Sequence, residues 1–164
     1  MKSLHVKLND ILTSLKLNTH FEAHGDSLWC ELDDKNLFIP IAEILQTLNA
    51  RVCMITAYEK EAGHELVYHF DLGGVMANVK LSITDKCVPS ITPLFKSADW
   101  TERELSEIYG IVIENHPNPK RLFMDESIKE SVLAEYYSLS SAINGRVSEL
   151  LWNRVKAEEG VRHG

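Results

Sequence analysis

The chain has 164 residues, 45% of them hydrophobic, and 17 lysines and arginines stand against 24 aspartates and glutamates for a net charge of −7. That length suits one domain around a single buried core, and an acidic balance without a basic run excludes autonomous nucleic-acid binding, which needs a cationic face to neutralise phosphates. No stretch approaches the ~20 apolar residues that cross a bilayer, and residues 1–16 lack the uncharged apolar centre of a signal peptide, so a cytoplasmic location is expected.

In chain order, Leu4, Val6, Ile11, Leu12, Leu15 and Leu17 recur at a nearly helical period and predict an amphipathic helix over residues 3–17 that docks on a sheet. A short strand fits residues 27–32. Pro40 at a first helical position, followed by Ile41, Ile44, Leu45 and Leu48, predicts a second helix closing near Asn49. The period then changes. Residues 52–58 are apolar and β-branched, residues 65–72 alternate, and Val75, Ala77, Val79, Leu81 and Ile83 occupy every second position after Gly73-Gly74. The glycine pair reads as a hairpin turn, and the alternation places Asn78, Lys80 and Ser82 on the face opposite the buried one. An α+β fold follows, with an antiparallel or mixed sheet and helices packed on one face.

Residues 85–95 carry two prolines and no clean period, which marks an extended connection. It leads to a helix start in which Thr101 caps, Glu104 returns the capping-box bond and Trp100 staples onto Leu105, with Gly110 as the stop. Read locally, Glu102, Arg103 and Glu104 are helix-end charges in which Arg103 pairs nearby, and His116 beside Pro117 and Pro119 hydrogen-bonds its own loop. Beyond Met124 the apolar positions from Val132 to Val155 recur at helical spacing, giving one or two helices over residues 127–158 that Gly145 splits or bends. That stripe packs either on its own domain or on a neighbouring subunit. The division expected is residues 1–125 as the α+β domain and 126–164 as a helical extension.

Cys30, Cys53 and Cys87 lie more than twenty residues apart, without the close pair that zinc and iron–sulfur sites recruit, and read as reduced thiols buried in strands or packed loops. The motifs of P-loop, dinucleotide, nucleophile-elbow and H-E-x-x-H chemistry are absent from the sequence. A stand-alone soluble α+β enzyme or ligand-binding domain would have to draw on Glu59, Glu61, His64, His69 and His116.

The segment from Val88 to Ile111, with its proline-serine bend, Trp100, the Glu102-Arg103-Glu104 triplet and the Tyr109-Gly110-Ile111 stop, followed by His116-Pro117 and Lys120-Arg121-Leu122, resembles the signature of the 30-kilodalton subunit family of NADH:quinone oxidoreductase. The resemblance implies a cofactor-free structural subunit of a peripheral arm, held at the cytoplasmic face of the cell membrane only through its complex. It packs there against a catalytic large subunit and an iron–sulfur subunit, and the iron–sulfur clusters, or nickel-iron in the energy-converting hydrogenase branch, belong to those partners. No catalytic, cofactor or metal residue is carried over. Trp100, Glu102, Arg103, Glu104, Tyr109, Gly110, His116, Pro117 and Arg121 carry over as positions that shape the motif loop and its inter-subunit contacts. The chain departs from the family pattern at Glu107, Asn115 and Pro119, and residues 131–138 lack the family's downstream proline-leucine-arginine-lysine motif, which tilts the expectation toward the hydrogenase branch.

Overall fold

The computed structural model describes residues 2–124 and 131–132. Helix α1, Lys2–Ser14, buries Leu8 and Leu12, one turn apart, and leaves its polar stripe in water. Asn9 on that helix pins the next segment by a two-way bond, accepting from the Phe21 backbone N–H (2.8 Å) and donating to the Phe21 carbonyl (2.9 Å). Strand β1, Glu22–His24, turns at Gly25 into β2, Ser27–Leu32. Helix α2, Phe38–Thr47, begins two residues before Pro40, after a 3-10 turn at Lys35–Leu37 capped by Asp34; proline is tolerated because first-turn N–H groups have no helical acceptor. It ends where Asn49 takes a left-handed conformation.

Strands β3, Arg51–Lys60, β4, Gly63–Asp71, and β5, Met76–Ile83, form an antiparallel meander. Gly73 and Gly74, both at positive φ, make the predicted turn, with Asp71 Oδ1 accepting the Gly74 N–H at 2.7 Å. Gly63 is needed for another reason: a Cβ there would lie 2.1 Å from the Ile83 carbonyl oxygen of the neighbouring strand. The five-stranded order is β1-β2-β5-β4-β3, and β2 runs parallel to β5, so the sheet is mixed.

The core lies on one face of this sheet. Leu28, Cys30, Leu66, Tyr68, Phe70, Ala77 and Val79 are fully buried against Leu8, Leu12, Phe38, Ile41 and Leu45, and Phe38 meets Tyr68 ring to ring at 4.4 Å. Of the three cysteines only Cys30 is buried; Cys53 is exposed and Cys87 half-buried, so the expectation of buried thiols holds at one position. The connection after β5 is more structured than its composition suggests. Cys87–Pro89 is a strand, β6, paired in parallel with β7, Val112–Glu114. Between them lies α3, Ala98–Tyr109. Among the described residues no helix is long and apolar enough to cross a membrane. The predicted helices over residues 127–158 lie outside the described residues, apart from Ser131 and Val132.

Candidate functional site

Helix α3 starts four residues earlier than the capping pattern predicts, with Ser97 in place of Thr101 at the cap position. A turn at Ile91 to Phe95 leads straight into it, and Ala98, fully buried, anchors the first turn in the core. Thr101 is therefore inside the helix, its hydroxyl bonded back to the Ala98 carbonyl at 3.1 Å, and Trp100, predicted to precede the cap as a staple, is itself a helical residue. At the other end Gly110 stops the helix as predicted, at φ +69°, with its N–H on the Ser106 carbonyl.

The early start turns Glu102 inward. Its carboxylate is fully buried and accepts from the Ser90 hydroxyl (2.6 Å), the Ile91 N–H (2.7 Å) and the Thr92 hydroxyl (2.7 Å), which corrects the reading of Glu102 as a helix-end charge. His116 completes the cluster from the loop after β7. Its Nδ1 accepts the Asn118 N–H at 3.0 Å, which places the ring proton on Nε2, 3.3 Å from the Thr92 hydroxyl and 3.6 Å from Glu102. The local reading of His116 as a loop-binding histidine describes this bond, but the ring also reaches across to α3. Donors run in one direction: His116 to Thr92, Thr92 to Glu102. The cluster is internally satisfied and ties three segments, the 90–92 bend, α3 and the 115–118 loop, to one carboxylate.

Next to Glu102 on α3, Arg103 grips the loop through its backbone, and Glu107, one turn further along, does the same. Arg103 donates from Nε to the Lys120 carbonyl (2.7 Å) and from Nη2 to the Arg121 carbonyl (2.8 Å), with Asp99 at 3.6 Å as a weaker neighbour. Glu107 accepts the N–H groups of Leu122 (2.5 Å), Phe123 (3.1 Å) and Met124 (2.6 Å). Burial raises the Glu107 pKa, but the three N–H groups and the Arg121 charge outweigh it and hold the carboxyl below its usual range. A depressed folded pKa means that the stabilisation is present above the unfolded value of ~4.3 and is lost as pH falls through the folded value. Glu107→Gln is therefore expected to cost about 2 kcal/mol at pH 7, with the gap to the parent closing as urea midpoints are measured below about pH 4. A gap that stays constant across that range would rule out the ionised carboxylate as the cause.

With the loop backbone held in this way, an aromatic pair stands at the surface beside it. Phe123, 63% exposed, stands edge-to-face with Trp100, 55% exposed, at 5.6 Å. The remaining predicted positions fall around this unit. Tyr109 donates to the Ala57 carbonyl at 2.7 Å and so covers the outer edge of β3. Glu104 is half-buried with no bonded partner among the described residues, Pro117 is exposed, and Arg121 lends its carbonyl and its charge. Ser90, Thr92, Glu107 and Phe123 were not singled out as site residues from sequence. The polar Ser90 and Thr92 flanking Ile91 between two prolines were the available signal for the first two.

The residues of the stand-alone enzyme alternative are not assembled. His64 lies on the core face of β4 beside Tyr109, His69 on the opposite face between Thr56 and Asn78, and Glu59 and Glu61 are exposed near the β3–β4 turn. Among the described residues no cluster of histidine, cysteine and carboxylate side chains is arranged to hold a metal ion.

The family described as respiratory-chain NADH dehydrogenase, 30 Kd subunit, matches residues 33–142. The NAD(P)H-quinone oxidoreductase subunit J of Synechococcus sp. (strain RCC307) is 35% identical over 103 residues, covering 52% of this chain and 58% of the relative. The chain spans less than two thirds of the length of the curated relatives it matches. Among solved structures, the trypsin-resistant fragment of Nqo5 superposes with a TM-score of 0.55 at 22% identity over 68% of this chain and 98% of the fragment. A chain of the membrane-bound sulfane sulfur reductase, an archaeal respiratory membrane complex, gives 0.62 at 21% over 77% of this chain and 79% of its own. These two likenesses are of fold.

Proposed function

The chain belongs to the family of the 30-kilodalton subunit of respiratory-chain NADH dehydrogenase, and from that premise we propose that it is a cofactor-free structural subunit in the peripheral arm of a complex I-like membrane-bound oxidoreductase. The assembly is an NADH:quinone oxidoreductase or an energy-converting nickel-iron hydrogenase. In it the chain packs against the catalytic large subunit and the iron–sulfur subunit, on the cytoplasmic side of the membrane. Iron–sulfur clusters, and nickel-iron in the hydrogenase case, reside in those partners.

The observation that carries this reading is the way α3 spends its polar side chains. Glu102, Arg103 and Glu107 bind backbone and hydroxyl groups of their own chain, which makes them organisers of a rigid surface, while Trp100 and Phe123 are held out from it. Aromatic rings fixed in an exposed position offer large contact area at little ordering cost, the property of interface anchors. The motif residues thus divide into those that shape the surface and those that meet a partner.

The test is mass spectrometry of proteins that co-purify with a tagged copy expressed at native level in its own cell. Quinone-reductase or nickel-iron hydrogenase subunits in comparable amounts are expected, and their identity names the branch. Recovery of the chain alone overturns the structural-subunit reading.

A further inference from the structure

Of the three glutamates on α3, two are bound by their own chain: Glu102 by Ser90, Ile91 and Thr92, and Glu107 by the backbone N–H groups of residues 122–124. Arg103, next to Glu102 in sequence, directs its guanidinium to the Lys120 and Arg121 carbonyls and to Asp99. Glu104 has none of these ties. It is half-buried, and among the described residues it makes no hydrogen bond and no ion pair.

The four-residue spacing of Trp100, Glu104 and Ile108 puts all three on one face of α3, with Glu104 in the middle. Ile108 is half-buried, and Trp100 is exposed and meets Phe123 edge-to-face. The carboxylate therefore lies between an exposed aromatic pair one turn before it and an isoleucine one turn after it. Of the charged side chains on α3 it is, among the described residues, the one left without a partner.

We infer that the partner chain covering this face presents a cationic side chain, lysine or arginine, that pairs with Glu104 at the edge of an apolar hollow for the two rings. The inference rests on the proposed contact at Trp100 and adds the chemistry of its other side. A chain that covers Trp100 and Phe123 takes water from the carboxylate one turn away as well, and a carboxylate that loses water without gaining a partner is strongly disfavoured. The adjacent cation on α3 does not supply that partner, because Arg103 is turned to the loop. A cation drawn to Glu104 also comes within reach of the Trp100 ring, whose face attracts positive charge.

The test expresses tagged full-length Glu104→Gln and Glu104→Lys at native level beside the parent and follows loss of the co-purified partner through washes of increasing salt. Glu104→Gln keeps the shape and removes the charge, and is expected to release the partner about 30-fold faster than the parent, as for one side of a covered charge pair. Glu104→Lys should release it faster still, because like charges then face each other. The urea midpoints of the isolated variants should match the parent's, since no bond among the described residues is lost. Partner retained equally by the parent and both variants overturns the inference while the subunit reading stands, and makes Glu104 a solvated helix-face charge. A lowered urea midpoint in Glu104→Gln with unchanged release also overturns it, because the carboxylate then serves its own chain. No partner with the parent itself overturns the subunit reading, and this inference falls with it.

Discussion

Glu102→Ala is expected to cost about 3 to 4 kcal/mol of unfolding free energy, because it leaves several buried donors without their acceptor at ~1 to 3 kcal/mol each. The Ser90 and Thr92 hydroxyls can rotate toward other acceptors, but the Ile91 N–H, which donates to the carboxylate, is fixed in direction by the backbone. Urea unfolding at neutral pH followed by far-ultraviolet circular dichroism measures this. Glu102→Gln keeps one oxygen for Ile91 while its amide group asks the two hydroxyls to accept instead of donate, and is expected to cost about half as much. The three tied segments predict more than a stability loss: in the alanine variant the amides of residues 90–92 and 115–118 should exchange with solvent together, as one loosened unit. A loss below about 1 kcal/mol would mean that the carboxylate is not the centre of the cluster.

The second large effect is on assembly. Trp100→Ala combined with Phe123→Ala is expected to weaken partner binding by about 2 to 4 kcal/mol, roughly 30-fold to 1,000-fold, as for truncated aromatic anchors at interface centres. Stability should change by less than about 1 kcal/mol, because the two rings are more than half exposed and what they lose among the described residues is chiefly one edge-to-face contact. The separation is possible only because Arg103 and Glu107 hold residues 120–124 through main-chain atoms, so the loop keeps its place when Phe123 is shortened. Comparing partner recovery from the tagged double variant and the parent, with thermal unfolding of the isolated chain alongside, reads both quantities. Undiminished recovery would remove the pair from the interface.

The features legible in the sequence are those decided within a few residues. Gly73-Gly74, the alternation from Val75 to Ile83 and the Gly110 stop were readable because positive φ and a two-residue side-chain period are local constraints. The start of α3 was misread for an instructive reason. Thr101, Glu104 and Trp100 match a capping box and staple, but burial of Ala98 and the turn before it extend the helix upstream, and the local pattern is overridden by packing. Asn78 lies on the face opposite the core as the alternation predicts, and His69 and the Leu28 carbonyl give it the partners that make its burial there possible.

By itself the sequence determined the α+β class, the hairpin, the Gly110 helix stop and the motif that marks the family. The tertiary structure decided that β2 lies parallel to β5, that Glu102 points inward to a bend ten to twelve residues upstream, and that Arg103 and Glu107 clamp a loop while Trp100 and Phe123 are left to solvent. The physical reason is range. Turn geometry and amphipathic period are written in neighbouring residues, whereas the partner of a buried charge is whichever distant donor the packed core brings within hydrogen-bond distance, and no local pattern records that choice.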